Sequence, residues 1–379
     1  MKTIKYIIHY DVNSDEGRSS NLAAGTKASY IMEVFNKIGF SVDVVSASLT
    51  SSKGNFHGSV TKINDNTKLI KMPALKWGNK LEKLTAYVWS RLALFFLLVH
   101  NVKRGESVLV YHSLDLMPAV KWAKRLKGFK MILEVEEIYS DVIKKSQKAR
   151  ENEIEFTGLA DAYIFPSGLL NGLINTDNKP YLLIHGTYKV EPDRQTGFDD
   201  GKIHVVYAGT FDPRKGCSAA AAAAEFLPEN YHIHIIGFGT DADIAEMKTV
   251  IEKTNEKSKA AVTYDGMFSG EEYIKFIQKC SIGLSTQNPD ADFNATSFPS
   301  KILSYMANGL RVVSIRIPAI EQSAVGKNMY YYDKQTPEEI AKAIMSVDLN
   351  DGYDGRAKIK QMDIRFRKEL EELLDNGKN

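Results

Sequence analysis

The chain has 379 residues, of which 44% are apolar and 25% are charged, and its formal net charge is +2. This length favours two domains over one, and the nearly balanced charge excludes a general attraction to nucleic acid. Two cysteines, Cys217 and Cys280, are too few for a disulfide scaffold or a thiolate metal cluster. We therefore expect a two-domain protein of a reducing cytoplasm.

The N-terminal half alternates apolar runs with helical patterns, which predicts a parallel sheet wrapped by helices. The predicted strands are 4–10, 41–46, 107–111, 130–135 and 162–165, and the predicted helices are 24–38, 81–99 and 117–126. The first apolar run is shorter than the core of a signal peptide, so we expect it to be a core strand. The polar stretch 50–67 predicts a mobile loop.

Residues 92–99 form the most membrane-like stretch. Eight apolar residues are far fewer than the roughly 20 that span a bilayer, so this stretch is not expected to cross a membrane. A helix that is apolar on all sides is typical of a buried core helix, which is the interpretation we favour. Peripheral contact with an anionic inner membrane leaflet stays open, because cations flank the stretch and a tryptophan could sit at the interface. These residues are Lys76, Lys80, Lys83, Lys103, Arg104, Trp77 and Trp89.

A polar run at 191–201 separates the halves and predicts a hinge. From residue 203 the alternation of strands and helices begins again, and a charged helix at 355–374 ends the chain. We therefore predict an N-terminal domain at 1–187, a second domain at 188–354, and a C-terminal helical segment at 355–379.

The segment 296–314, reading TSFPSKILSYMANGLRVVS, carries the strongest functional signal. A loop leads into Lys301, apolar residues then recur at helical spacing, and Gly309 ends the helix before a strand. Pro299 fits at or before the first helical turn, which leaves the backbone N–H groups near Ser300 free to bind an anion. A lysine in a first helical turn is unfavourable unless an anion is bound, so this segment predicts a diphosphate site.

Three earlier stretches complete the pattern: VVYAGTFDPRKG at 205–216, HIIGFGTDADI at 234–244, and the strand, loop, helix and strand of 263–286. In this order and spacing, they resemble the retaining nucleotide-sugar glycosyltransferases of the group 1, or family four, type. The sub-group of bacterial capsule and exopolysaccharide clusters is the most similar. The resemblance implies an α/β fold of the GT-B class, in which two Rossmann-like domains face a central cleft and a C-terminal helix crosses back to the N-terminal domain.

The resemblance also implies the reaction and its partners. The expected enzyme is a hexosyltransferase that moves a sugar from a UDP-, GDP- or dTDP-linked donor to a glycan acceptor, expected to be lipid-linked, in surface polysaccharide assembly. We expect a cytoplasmic location, and neither a metal nor another cofactor. In retaining members the departing phosphate is thought to accept the acceptor's proton, so no enzyme base is required.

Four residues are expected to be catalytic. The lysine at the position of Lys215 contacts the donor diphosphate in family members, and Lys301 is expected to do the same, because such charge stabilises a departing diphosphate. Lys215 also fits an ordinary surface turn. Glu136 and Glu137 follow the strand 130–135, where family members carry a histidine, and could orient the acceptor or merely be solvated. Residues expected to contact the donor are Gly209, Thr210, Arg214, Gly237, Gly239, Met267, Phe268, Asn294, Ser297, Phe298, Pro299, Ser300 and Ser304.

Two acidic pairs imitate a metal-binding Asp-x-Asp motif. Asp241 and Asp243 are expected to cap a helix, and Asp290 and Asp292 lie in the loop before the donor turn. No cluster of His and Cys ligands is evident in the sequence, so no metal site is predicted. The strand-end histidines His9, His112 and His185 are expected to be structural.

Many family members place two glutamates in the donor turn, whereas the matching positions here are Thr296 and Ser304. This departure keeps a second interpretation open, a non-catalytic GT-B partner subunit or glycan-binding protein. A nucleotide-sugar epimerase is a third interpretation.

Overall fold

The computed structural model describes residues 2–11, 16–19, 22–51, 54–194, 197–291 and 296–376. These residues form two compact units. Unit 1 contains the chain up to Pro166, Leu170–Ile184, and the chain from Arg365, whereas unit 2 contains Ser167–Leu169 and His185–Ile364. The domain limits and the hinge drawn from the sequence stay predictions.

Unit 1 is built on an eight-stranded sheet with the order β3-β4-β2-β1-β5-β6-β7-β8. Its strands are β1 (Lys2–Ile8), β2 (Phe40–Ser46), β3 (Ser59–Asn64), β4 (Thr67–Lys71), β5 (Ser107–Tyr111), β6 (Lys130–Glu134), β7 (Ala162–Phe165) and β8 (Tyr181–Leu183). All neighbours are parallel except β3 and β4. The strand order reverses between β1 and β5, and such a point opens a crevice at the carboxyl ends of the strands.

The helices of unit 1 are α1 (Leu22–Lys37), α2 (Lys80–Asn101), α3 (Met117–Lys127), α4 (Tyr139–Val142), α5 (Gln147–Thr157) and α6 (Gly168–Ile174), with the end of α13 (Gly355–Asn376). The α6 helix begins within unit 2. The residues of β6 and β7 are apolar and buried, except for Glu134, which is buried but charged, and Lys130, which is partly buried. A sheet that is covered by helices on both sides has this pattern.

The prediction of a mobile loop at 50–67 is wrong over part of this range, because Ser59–Asn64 forms the edge strand β3. It pairs antiparallel with β4 through a turn at Asp65 and Asn66. Both of these residues favour turns. Every side chain of β3 is exposed, so the strand lacks the alternation of buried and exposed positions that identifies a strand in a sequence.

The preferred interpretation of α2 as a fully buried core helix is also wrong. Only Ala86, Ser90, Arg91, Leu94 and Leu98 are buried, while a second apolar face is exposed. Among the described residues, α2 is the one helix whose length and composition would allow it to cross a membrane, and 28% of its most apolar window is buried.

Unit 2 is built on a six-stranded parallel sheet with the order β11-β10-β9-β12-β13-β14. Its strands are β9 (Ile203–Thr210), β10 (Tyr231–Phe238), β11 (Ala261–Gly266), β12 (Ile282–Ser285), β13 (Arg311–Ile315) and β14 (Met329–Tyr332). Its helices are α7 (Cys217–Ala222), α8 (Asp241–Asn255), α9 (Gly270–Ile277), α10 (Lys301–Ala307), α11 (Pro318–Glu321), α12 (Pro337–Met345) and the start of α13. This is the strand order of a Rossmann sheet, so the predicted α/β class with two Rossmann-like sheets is confirmed.

The order of the second sheet reverses between β9 and β12. These strands pair only at Val205 with Ile282 and at Val206 with Gly283, and then separate. The Tyr305 hydroxyl bridges the gap, because it accepts a hydrogen bond from the Ala208 N–H at 2.9 Å and donates to the Leu284 carbonyl at 3.2 Å. The backbone groups freed by the separation are therefore satisfied, and a stable crevice opens beyond them.

Candidate functional site

The crevice of unit 2 collects residues from two distant segments. Gly209 and Thr210 end β9, and a 3-10 turn, Pro213–Lys215, follows. The α10 helix enters from the opposite side of the strand gap and begins with Lys301. In an open α/β sheet, this is the place where a nucleotide binds.

Lys301 extends its ammonium group over the start of this crevice. The Nζ atom lies 3.9 Å from the centroid of the Tyr207 ring, in a cation–π contact. A Cβ placed on Gly209 would lie 3.0 Å from the same Nζ, so the absence of a side chain at Gly209 leaves the ammonium room. Among the described residues, no carboxylate lies within ion-pair distance of Lys301.

Desolvation governs the charge of Lys301. Burial of the ammonium, and secondarily the nearby charge of Lys215, lowers the pKa of Lys301 to about 7. An anion placed beside both lysines would remove this penalty. The two predicted phosphate-binding lysines are thus brought close enough to repel each other.

The neighbouring Arg214 is engaged differently. Its guanidinium forms a bidentate pair with Asp212, with Nη2–Oδ2 at 2.6 Å and Nε–Oδ1 at 3.0 Å. Asp212 also accepts the Arg214 N–H at 2.9 Å. The positive charge of Arg214 is therefore neutralised locally, so Arg214 is a weaker candidate for the donor than Lys215.

The two glycines of the predicted Gly-x-Gly turn are explained by packing. A Cβ on Gly237 would lie 1.7 Å from the Gly209 carbonyl oxygen, and Gly237 has φ +145°. A Cβ on Gly239 would lie 2.7 Å from the Cβ of Asp243. Asp243 and Thr240 form the capping box that starts α8, as expected for the first acidic pair.

The turn before α10 is ordered by contacts of its own. The Phe298 ring packs on His185 with centroids 4.8 Å apart, and Ser304 hydrogen-bonds the Tyr273 hydroxyl at 3.1 Å. Ser300 is exposed and its side chain caps no backbone N–H. Ser297 and Pro299 are partly buried beside it. Ser304, which stands where many family members carry the second glutamate, is thus already hydrogen-bonded to Tyr273.

The loop after β11 holds the predicted base-contacting residues. Met267 is exposed, and the partly buried Phe268 stacks on Phe276 with centroids 4.7 Å apart. Asn294 and Asp292 lie outside the described residues.

Unit 1 has a polar cluster at the carboxyl ends of its strands. Lys27, on α1, forms ion pairs with Glu136 and with Glu134, whose Oε1 lies 3.6 Å from Nζ. Glu134 is fully buried and also accepts a hydrogen bond from the Tyr6 hydroxyl. Burial raises the pKa of Glu134, although Lys27 opposes the shift. The sequence identified Glu136 but missed Lys27 and Glu134, because α1 and β6 meet only in the fold.

The second predicted acid, Glu137, acts on a neighbouring tyrosine. Its charge adds to burial in raising the pKa of Tyr139, whose hydroxyl is 3.1 Å from that of Tyr111. Glu136 also contributes to this rise, so both acids lie near Tyr139, and Glu136 in addition pairs with Lys27.

Of the strand-end histidines of unit 1, His112 is buried and His9 is partly buried. Burial lowers the pKa of His9 and of His112 to about 4. The His112 Nε2 lies 3.3 Å from a Glu153 carboxylate oxygen, and the same carboxylate accepts the N–H groups of Tyr139 and Ser140 at 2.8 Å. These contacts fit the structural role expected for His112.

Unit 2 contains a histidine cluster that the sequence did not reveal. Nitrogens of His204, His232 and His234 all lie within 4.8 Å of one another, because β9 and β10 pair His204 with His232. The prediction that no metal is bound stays a prediction. The rings are already hydrogen-bonded: His204 to Asp200 at 2.8 Å and to His234 at 2.8 Å, and His234 to Asp265 at 3.0 Å. These hydrogen bonds account for His204 and His234 as structural residues of the sheet.

Comparison with known proteins bears on the class of enzyme and on the fold. Residues 202–348 match the family described as Glycosyl transferases group 1. The match lies within unit 2 and agrees with the predicted class of enzyme. Among curated proteins, no sequence matches the chain significantly.

Solved structures resemble the chain over nearly its whole length. The apo structure of OtsA has a TM-score of 0.70 at 11% identity and covers 100% of this chain and 99% of its own. The UDP-forming α,α-trehalose-phosphate synthase of Burkholderia xenovorans, in complex with glucose-6-phosphate, has a TM-score of 0.66 at 12% identity and covers 99% and 98%. HepE of Anabaena, in complex with UDP and glucose, has a TM-score of 0.64 at 12% identity and covers 99% and 100%. At these identities the likeness shows the fold, which is that of the GT-B glycosyltransferases.

Proposed function

We propose that this protein is a glycosyltransferase that moves a sugar from a nucleotide-linked donor to a glycan acceptor. The observation that carries the proposal is Lys301, a desolvated cation at the crevice of a Rossmann sheet, with no carboxylate partner among the described residues. Such an arrangement is unfavourable for the protein alone and becomes favourable when an anion binds. A nucleoside diphosphate is the kind of anion that binds at this place in a Rossmann sheet.

The reaction needs positive charge where the leaving group develops negative charge. As the bond between the sugar and the diphosphate breaks, Lys301 and Lys215 stabilise the departing phosphate oxygens. Removing one such contact typically raises the barrier by about 2 to 4 kcal/mol. Gly209 contributes by leaving space beside Nζ of Lys301.

We assign the acceptor to unit 1, where polar groups gather at the strand ends. Glu136 is partly accessible there, beside the buried Lys27, and its carboxylate offers an acceptor of hydrogen bonds to a sugar hydroxyl. Retention of configuration, with the departing phosphate taking the acceptor's proton, is part of the proposal and has its support in the resemblance. His9 and His112 offer no better base, because desolvation lowers the pKa of each to about 4 and makes each imidazole weakly basic.

The finer assignment is a lipid-linked acceptor at the cytoplasmic face of a membrane, in the assembly of a surface or capsular polysaccharide. We propose that no bound metal takes part in the transfer. UDP is the first donor base to test, because the HepE structure contains UDP.

Calorimetry with UDP, GDP, dTDP and ADP tests the donor site. Wild-type protein should bind one of these nucleotides, and Lys301→Met should weaken that binding sharply. Lys253→Ala is the matched control, because Lys253 is an exposed cation on the last turn of α8 and should leave binding unchanged.

Turnover then separates the enzyme from its alternatives. Release of nucleoside diphosphate that depends on a glycan acceptor supports the transferase. Conversion of the nucleotide sugar without an acceptor would instead indicate an epimerase. A folded wild-type protein that binds none of the four nucleotides would contradict the proposal and favour a non-catalytic partner subunit.

A further inference from the structure

The face of α2 that points away from the core is apolar. Six of its large side chains are between 46% and 71% exposed: Leu81, Leu84, Val88, Trp89, Leu92 and Phe96. Most of them recur at intervals of three or four residues, so they form one stripe along the helix, about 22 Å long at 1.5 Å per residue. Single exposed apolar side chains are ordinary, whereas a continuous stripe marks an interaction surface.

Basic side chains lie at both ends of this stripe. Lys80 and Lys83 are exposed at its start, and Lys103 and Arg104 are exposed just beyond its end. Between residues 76 and 104 the sequence has one acidic residue, Glu82. Exposed positive charge therefore lies at both ends of the apolar stripe, which complements an anionic partner.

The neighbouring helix α3, which packs against α2, adds a second apolar and basic feature. Trp122 and Leu126 are 60% and 65% exposed, and the guanidinium of Arg125 lies 5.2 Å from the centroid of the Trp122 ring. Tryptophan beside a cation is typical of side chains that sit at the interface between a bilayer and water.

We propose that the α2 stripe binds the surface of a bilayer that contains anionic lipids. The inference deepens the proposed function and rests on it for the lipid-linked acceptor, but the binding itself requires neither donor nor acceptor. The apolar side chains enter the boundary between headgroups and acyl chains, and the flanking cations contact lipid phosphates.

The inner face of α2 shows that the helix lies on the bilayer and does not cross it. The Ser90 hydroxyl donates to the Ala47 carbonyl at 3.0 Å, and Leu94 and Leu98 belong to the core of unit 1. Buried Arg91 lies 3.5 Å from the carboxylate of Asp115. A spanning helix would break these contacts and carry Arg91 into hydrocarbon, which is unfavourable.

A second copy of the chain fits the stripe less well than a bilayer. If two α2 helices packed antiparallel, Lys80 and Lys83 of one copy would meet Lys103 and Arg104 of the other. In a parallel pair, each cation would meet its own counterpart. Since Glu82 is the one acid between residues 76 and 104, both pairings bring the like charges of these segments together, and an anionic lipid surface removes that repulsion.

Vesicle flotation tests the inference with full-length protein. Wild type should float with vesicles of phosphatidylcholine and phosphatidylglycerol at low salt, and much less with phosphatidylcholine alone or at high salt. Leu84→Glu combined with Leu92→Glu should reduce the affinity for anionic vesicles by about a hundredfold. Lys103→Gln and Arg104→Gln should each reduce it by about fivefold.

Leu173→Glu is the matched control. Leu173 is 47% exposed, lies on α6, and should leave vesicle binding unchanged. UDP binding and the thermal melting temperature of each variant show that the fold and the donor site are intact, so a failure of the donor site is recognised separately from a failure of membrane binding.

Three outcomes would overturn the inference: no flotation of wild type, equal flotation with neutral and anionic vesicles, or binding that survives both glutamates. Sedimentation of the wild type without vesicles shows whether the protein forms a dimer. A dimer that both glutamates dissociate, together with absent flotation, would assign the stripe to a second copy and overturn the membrane assignment.

Discussion

The two sheets each bring a lysine to their carboxyl edge, and the surroundings of these lysines are opposite. In unit 1, Lys27 meets two carboxylates, Glu134 and Glu136. In unit 2, Lys301 meets the face of Tyr207 and the repulsion of Lys215. The first lysine completes an internal network, whereas the second has no carboxylate partner in the part of the chain that the structure describes. The contrast shows how burial without a counter-charge identifies a ligand site better than the presence of a lysine does.

The largest expected effect on stability follows from removing Lys27, the lysine that is paired with two carboxylates. Lys27→Met leaves Glu134 buried beside Glu136 without its cation, and breaking a buried pair typically destabilises a protein by about 3 kcal/mol or more. Chemical denaturation at neutral pH should show this loss, and Lys27→Met combined with Glu134→Gln should recover much of it. A single variant as stable as wild type would show that the pair is not part of the core network.

The loss at Lys27→Met should depend on pH. Without Lys27, the folded pKa of Glu134 rises further above its unfolded value, so the folded state binds a proton more readily than the unfolded state does. The destabilisation should therefore be largest at pH values above the folded pKa, and should shrink as the pH falls toward the unfolded value of about 4.5. Denaturation across this range measures the trend.

Removing Lys301 should change the free energy of unfolding in the opposite direction. Lys301→Met should weaken binding of the diphosphate by about 2 to 4 kcal/mol, yet it should raise the free energy of unfolding by about 1 to 2 kcal/mol at pH 7, after discounting for partial solvent exposure. The folded pKa lies below the unfolded value of 10.5, so this gain is fully present below pH 7 and is lost as the pH rises toward 10.5. Calorimetry measures the loss of nucleotide affinity, and denaturation of the same sample measures the change in stability. A destabilised Lys301→Met variant would contradict the assignment of Lys301 as a desolvated cation without a partner among the described residues.

Nucleotide affinity itself should report the charge of Lys301. Because the pKa of Lys301 is about 7, binding above that pH requires the uptake of a proton, and the affinity should fall by up to about tenfold per pH unit. Lys301→Arg keeps its charge, so its affinity should be nearly independent of pH between 7 and 9 if the longer side chain is accommodated. Titrations with a nucleoside diphosphate in buffers over this range provide the measurement. An affinity of wild type that does not change with pH would show that Lys301 is not the titrating contact.

Much of the fold and part of the site could be predicted from the sequence, since they depend on local patterns. The alternation of strands and helices is local, as are the turn before Lys301 and the Lys215–Gly216 pair. The partners of these residues are not local. Lys27 meets Glu134 only because α1 packs over β6, and the Tyr305 hydroxyl finds Ala208 only because β9 and β12 separate. The exposed face of α2 could not be predicted for a related reason, because both faces of the helix are apolar and only packing decides which one is buried.

The smallest expected effect concerns the space beside Lys301. Gly209→Ala would place a Cβ 3.0 Å from Nζ of Lys301 and 3.4 Å from the Tyr207 hydroxyl, so the ammonium must shift by a few tenths of an ångström. A displaced catalytic group loses affinity steeply, and we expect nucleotide binding to weaken by about tenfold with little change in stability. Gly172→Ala is the control, since a Cβ at Gly172 meets nothing within 4 Å. Calorimetry of both variants decides the matter: if Gly209→Ala bound nucleotide as well as the control, the anion would have to sit away from Gly209, and the Lys301 ammonium would have to reach it from another direction.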